Sequence, residues 1–173
     1  MKSVLIVVDY QKDFVCGALG FPEAQKIDDA ICTAISDMRN GGGDIIFTYD
    51  THGEDYLNTA EGRFLPVPHC IKGSDGWQLY GKTADMVDCN SVGFEKGTFG
   101  SMQLAEYLAS KGYERVVLVG LVSNICVLSN AVLARAALPE ATVEVIADAT
   151  ASNDSDMHNF SLAVLKGLNI SII

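Results

Sequence analysis

The chain has 173 residues, with 12 Lys and Arg against 22 Asp and Glu, a formal net charge of −10. Apolar residues make up 49% of it, which excludes an intrinsically disordered chain. The negative charge and the absence of a basic cluster argue against a nucleic-acid or anionic-membrane partner.

The elements alternate along the chain. The run SVLIVVDY (3–10) reads as a buried strand. It carries Asp9, is too short to span a membrane, and lacks the pattern of a secretory signal, so a cytoplasmic protein is expected. Residues 23–39 have Ile27, Ala30, Ile31, Ala34, Ile35 and Met38 at helical spacing, and Gly41–Gly43 end that helix. DIIFTYD (44–50) is the second strand. Residues 51–90 are rich in Gly, Pro and polar residues and read as one long irregular segment, a length that usually signals function. SVGFEKG (91–97) is a third strand, 101–112 a helix, RVVLVGL (115–121) a fourth strand and 124–138 a helix. TVEVIADAT (142–150) is a fifth strand, 155–167 a helix, and ISII a short last strand.

Strands apolar on both faces and separated by helices imply an α/β fold: a three-layer, Rossmann-like sandwich with a mostly parallel sheet of about six strands. No linker or repeat interrupts the pattern, so one domain over 1–173 is expected. The five cysteines (16, 32, 70, 89 and 126) are odd in number and form no CxxC pair, which favours reduced thiols over a disulfide framework.

Ligands in such sheets bind at the carboxyl ends of the strands. Asp9, Asp50, Lys96 and Cys126 each fall at or just past such an end, so four capable side chains would converge on one edge. Ser123 or Asn124 is a suitable N-cap, which puts Cys126 in a first helical turn. A helix N-terminus favours a thiolate and offers N–H groups to an oxyanion. Read alone, Cys126 is as consistent with a buried core thiol. Asp9 reads as a general base or a loop cap, and Lys96 as its cationic partner or a surface lysine. Asp50 and His52 alternate by two and can point the same way from an extended strand end.

Taken together these residues resemble the isochorismatase-like cysteine hydrolase superfamily, with the metal-dependent nicotinamidases (pyrazinamidases) as its nearest branch. VVDYQKDFVCGALGFPEA looks like the family's Asp motif, FEKGTFG its Lys motif and GLVSNICVLSNA its cysteine motif. YDTH and LPVPHCIKGSDG look like its metal segment, and the matches run in order from residue 4 to about 150. The resemblance implies a catalytic triad of Asp9, Lys96 and Cys126, and a cis peptide at Leu121–Val122 that turns amides toward an oxyanion. It implies a divalent metal on Asp50, His52 and His69, Zn²⁺ ahead of Fe²⁺ or Mn²⁺. Glu61 lies where some members have a further carboxylate, often reached through water. Phe14 would pack on the substrate ring, and Phe64 or Leu65 would fill the place of an aromatic before the metal histidine.

The activity implied is deamidation of nicotinamide to nicotinate and ammonia through a Cys thioester. The alternatives are a carbamoyl- or ureido-directed C–N hydrolase of the same superfamily and a non-catalytic metabolite-binding protein on this fold. The partner expected is a small-molecule amide, with no nucleic acid or membrane, and family members are commonly homo-oligomers. His158, the third histidine, reads as a surface residue of its helix, and Cys70 as structural.

Overall fold

A computed structural model describes residues 1–173. Six parallel strands form one sheet in the order β3-β2-β1-β4-β5-β6. They are β1 (Ser3–Val8), β2 (Asp44–Asp50), β3 (Val92–Lys96), β4 (Arg115–Leu121), β5 (Thr142–Ala151) and β6 (Ser171–Ile172). All six are the strands expected from the sequence, most of them from apolar β-branched runs. The order reverses between β1 and β4, and a crevice opens at such a switch point beyond the strands' carboxyl ends.

The helices are α1 (Lys12–Val15), α2 (Pro22–Lys26), α3 (Asp28–Asn40), α4 (Ala60–Phe64), α5 (Gly81–Asp85), α6 (Met102–Lys111), α7 (Leu128–Ala137) and α8 (Ser155–Gly167). Alternate residues of β1 serve opposite faces, as a pleated strand requires. Leu5 and Val7 pack in one buried cluster with Ile31, Ile35 and Met38 of α3. Val4, Ile6 and Val8 pack in another with Leu104 and Leu108 of α6, Ala131 and Ala134 of α7, and Leu165 of α8. No helix is long and apolar enough to cross a membrane.

Three local readings are corrected. The helix expected over 23–39 is two helices, with Ile27 between them at φ −87° and ψ −3°. The break turns Asp28 toward α5, whose Lys82 and Thr83 N–H groups its carboxylate accepts at 2.9 and 3.1 Å. The segment 51–90 is not uniformly irregular: a 3₁₀ turn at Tyr56–Asn58, α4 and α5 lie within it. Finally, the helix expected from Asn124 opens as a π-helical turn, Ser123–Val127, before α7 begins. Its capping residue is Val122, and neither Ser123 nor Asn124 caps through its side chain.

One glycine is dictated by the crevice. Gly120 lies opposite Val8 in the β1–β4 register at φ +105°, and a Cβ there would collide with the backbone of Val8. Only glycine combines that dihedral with so close an approach. The β4–β5 register jumps between Leu118 and Gly120, and Thr150 Oγ1 donates to Gly120 O at 2.7 Å.

Candidate active site

The four strand ends bring their polar residues together as the fold rule requires. Asp50 and Lys96 are opposite one another in the β2–β3 register. Asp9 follows β1 at φ +45°, where its N–H meets Thr48 O at 3.3 Å and Thr48 Oγ1 at 3.2 Å. Asp9, Asp50, Lys96 and Cys126 are all buried.

Lys96 Nζ is the hub. It lies 2.6 Å from Asp9 Oδ2, 3.2 Å from Asp50 Oδ1 and 3.6 Å from Cys126 Sγ, and donates to Thr98 O at 3.0 Å. Burial opposes its charge, but Asp9, Cys126 and Asp50 outweigh burial and keep it an ammonium. Asp9 accepts from Thr48 Oγ1 at 2.6 Å on its other oxygen. Its pKa stands above the ordinary carboxylate value because burial and the Asp50 charge outweigh Lys96. The Cys126 thiol is pushed well up by burial, by the Asp9 charge and by a hydrogen bond to Asp9, against the pull of Lys96. These influences favour the protonated thiol over the thiolate that a helix N-terminus would favour. The thiol becomes a nucleophile only if a base removes its proton.

The turn that carries Cys126 is fixed from behind. Asn130 Nδ2 donates to Cys126 O at 2.8 Å and to Phe99 O at 3.0 Å, while Asn130 Oδ1 accepts from Ser101 N at 3.0 Å. The Leu121–Val122 peptide is cis, and the Val122 N–H makes no backbone hydrogen bond.

A second cluster adjoins the first. Asp50, His52, Glu61 and His69 each bring one ligand atom to within 4.8 Å of the others. Asp50 Oδ2 is 3.0 Å from His52 Nε2 and 3.3 Å from His69 Nε2. Glu61 Oε1 is 3.7 and 3.6 Å from the same two nitrogens. His69 Nδ1 meets Val67 O at 2.8 Å, which leaves Nε2 facing the cluster. Burial raises the Asp50 carboxyl, yet the bonds from His52 and His69 and the Lys96 charge hold it well below the usual range. Burial lowers His69, but Asp50, Val67 O and Glu61 raise it above the ordinary histidine value. Two carboxylates and two imidazoles thus converge on one point and favour positive charge there. That donor set fits a borderline divalent metal.

A cavity of about 260 Å³ opens over both clusters, with Asp50, Glu61, His69, Val122 and Cys126 in its wall. Phe14, Leu19, Phe21, Leu65, Phe99 and Ile125 supply its apolar surface and Asn153 a neutral polar group. The volume falls below the ~300–1,000 Å³ typical of drug-sized ligands and suits a small ring compound. Phe14 also packs against His69, ring centroids 5.4 Å apart. Of the two candidates before His69, Leu65 lines the cavity. Phe64 does not, being 93% exposed on α4. His158 is not a free surface residue: half-buried on α8, its Nδ1 lies 3.0 Å from Oγ of the fully buried Ser123. Cys70 is fully buried in the core, its N–H donating to Asp13 Oδ2 at 2.7 Å.

Thr48, Gln11, Asp13 and Asn130 escaped the sequence reading. Thr48 and Asn130 are polar residues inside apolar periodic runs, and that interruption was their only signal.

The chain matches the isochorismatase domain over residues 3–173. It is 31% identical over 147 residues to the uncharacterized isochorismatase family protein PncA of Bacillus subtilis (strain 168), covering 76% of this chain and 78% of that protein. The pyrazinamidase/nicotinamidase of Streptococcus mutans UA159 superposes with TM-score 0.91 at 33% identity, over 99% of this chain and 100% of the other. The pyrazinamidase of Pyrococcus horikoshii, solved in complex with zinc, gives TM-score 0.86 at 27% identity over 100% and 99% of the two chains.

Proposed function

The chain belongs to the isochorismatase family, and from that membership we propose that it is a nicotinamidase, a cysteine amidohydrolase that converts nicotinamide to nicotinate and ammonia. The observation that carries this reading is one cavity whose wall holds Cys126 together with Asp50, Glu61 and His69. A nucleophile for the carboxamide and a metal-type donor set for the ring thus face the same small space. The neighbours named nicotinamidase or pyrazinamidase support the substrate class.

In this reading Asp9 takes the Sγ proton as the sulfur attacks the carboxamide carbon. Its raised pKa makes it a stronger base than an ordinary carboxylate, which suits a thiol that burial has made a weaker acid. Lys96 keeps Asp9 oriented at 2.6 Å and offsets the negative charge that burial penalises. The N–H groups of Val122 and Cys126 donate to the developing oxyanion, each such donor typically worth about 3 kcal/mol. The C–N bond breaks as Asp9 returns the proton to nitrogen and ammonia leaves. Asp9 then deprotonates a water, which attacks the thioester carbon. Nicotinate departs and the proton returns to Sγ.

Asp50, His52 and His69, with Glu61 beside them, would hold a divalent ion, zinc by the chemistry of the donor set and by the Pyrococcus horikoshii neighbour. Bound there, it would supply a Lewis acid for an uncharged ring nitrogen. Phe14 and Leu65 would pack the ring, and the apolar wall would keep bulk water from the thioester.

The test is ammonia release from nicotinamide by the purified chain with Zn²⁺ supplied. Turnover is expected. No ammonia from the metal-loaded protein would refute the reading and direct attention to carbamoyl and ureido compounds.

A further inference from the structure

Asp50 closes β2, and its backbone has a strand neighbour on one side only. On the β3 side it is in register with Lys96. On the β1 side the paired residues stop at Val7 and Phe47, so no strand reaches the Asp50 N–H and C=O. The side chain of Gln11 takes the missing strand's place. Its Oε1 accepts from Asp50 N at 2.8 Å, and its Nε2 donates to Asp50 O at 2.9 Å. The second Nε2 hydrogen goes to Trp77 O at 2.9 Å. Gln11 is fully buried, and both its amide donors and its carbonyl oxygen are engaged.

We propose that Gln11 is a positioning residue of the metal centre: by bracketing the Asp50 backbone it sets where the Asp50 carboxylate stands relative to His52 and His69. This rests on the metal-site reading above. A purely structural amide, closing the sheet and tying down the loop at Trp77, would contribute to folding alone. The two roles separate in metal affinity, because partners that orient a ligand typically change affinity 10–100-fold when lost, whereas a fold-stabilising bond does not.

Wild type, Gln11→Met, Gln11→Glu and Tyr10→Phe are stripped with a chelator and titrated with Zn²⁺ against a fluorescent competitor, and the melting temperature of each stripped protein is recorded. Tyr10→Phe is the structural control: it removes a buried hydrogen bond of the same segment, Tyr10 Oη to Ala24 O at 2.8 Å, without touching Asp50. Gln11→Met is expected to bind zinc 10–100-fold more weakly. Tyr10→Phe is expected to bind within twofold of wild type despite a lower melting temperature. Gln11→Glu keeps the acceptor for Asp50 N but sets an oxygen against two carbonyls, so it also weakens binding, and it carries the test if Gln11→Met does not fold. A folded Gln11 variant with wild-type affinity overturns the proposal. A wild type that binds no zinc overturns the metal reading and this proposal with it.

Discussion

Thr48→Val tests the assignment of Asp9 as the base. Thr48 is fully buried, and its hydroxyl donates to Asp9 Oδ1 at 2.6 Å while Lys96 holds Oδ2. Valine keeps the shape and removes the donor. A hydrogen bond to a charged group is worth roughly 1.5–3 kcal/mol net. Thr48 is one of the groups that hold the Asp9 pKa down, so losing its bond moves that pKa further up. The sign follows from which form the bond favours: it stabilises the carboxylate, so its loss favours the protonated acid. Because Asp9 as the proposed base must be ionised to accept the thiol proton, the acid limb of kcat/KM moves to higher pH, while the rate on the plateau changes less. The assay is initial ammonia release from nicotinamide across the pH range, wild type against Thr48→Val, with Zn²⁺ held constant and circular dichroism confirming the fold at each pH. An acid limb that stays in place in the folded variant refutes either the bond's role or Asp9 as the titrating base.

Cys126→Ala should abolish ammonia release, whereas Cys70→Ala should retain it and lose only about 1 kcal/mol of stability by denaturant melt. His52→Ala should hold less than the wild type's equivalent of zinc by metal analysis; equal stoichiometry would refute the ligand assignment. Gly120→Ala forces a Cβ into a positive-φ position against the Val8 backbone. It should cost about 1–3 kcal/mol in a urea melt for the dihedral alone, and disturb the sheet edge from which Val8 leads to Asp9 and Gly120 to the Leu121–Val122 peptide.

The parts of the fold carried by one-dimensional pattern were readable in the sequence. The strands other than β3 were apolar, mostly β-branched runs, and α3 shows Ile31, Ala34, Ile35 and Met38 buried at the spacing that named it. The expected convergence of Asp9, Asp50, Lys96 and Cys126 needed only the rule about strand ends, and the β1–β4 switch point supplies it. Three-body contacts were not readable. The break at Ile27 depends on a partner 54 residues away from Asp28, at Lys82. The π-helical turn at Cys126 has no composition of its own, since the same residues suit an ordinary helix start. His158 looked like a surface residue because its helix is mostly polar there, and only the packing of α8 beside Ser123 gives it a partner. Of the metal donor set, the spacing of the residues pointed only to Asp50 and His52, which share a strand end; Glu61 and His69 were named through the family resemblance, because no periodicity announces the short helices of their segment.

The position of Lys96 decides how its own mutants must be read. Its ammonium touches Asp9 and Asp50, one from each cluster, and no other Lys or Arg pairs with either carboxylate. Removing one partner of a buried ion pair leaves a charge uncompensated, at a cost of roughly 3–5 kcal/mol. Lys96→Met should therefore lose both ammonia release and a large share of stability, since a domain has only about 5–15 kcal/mol in total. Cys126→Ala leaves the ion pairs intact and removes a single sulfur, so it should lose activity with a much smaller change in melting temperature. Loss of activity in Lys96→Met alone would say nothing about catalysis. The informative comparison is Lys96→Met against Cys126→Ala in the same thermal melt. Equal melting temperatures would mean that Asp9 and Asp50 are neutralised by something other than Lys96, and the electrostatic account of the site would fail.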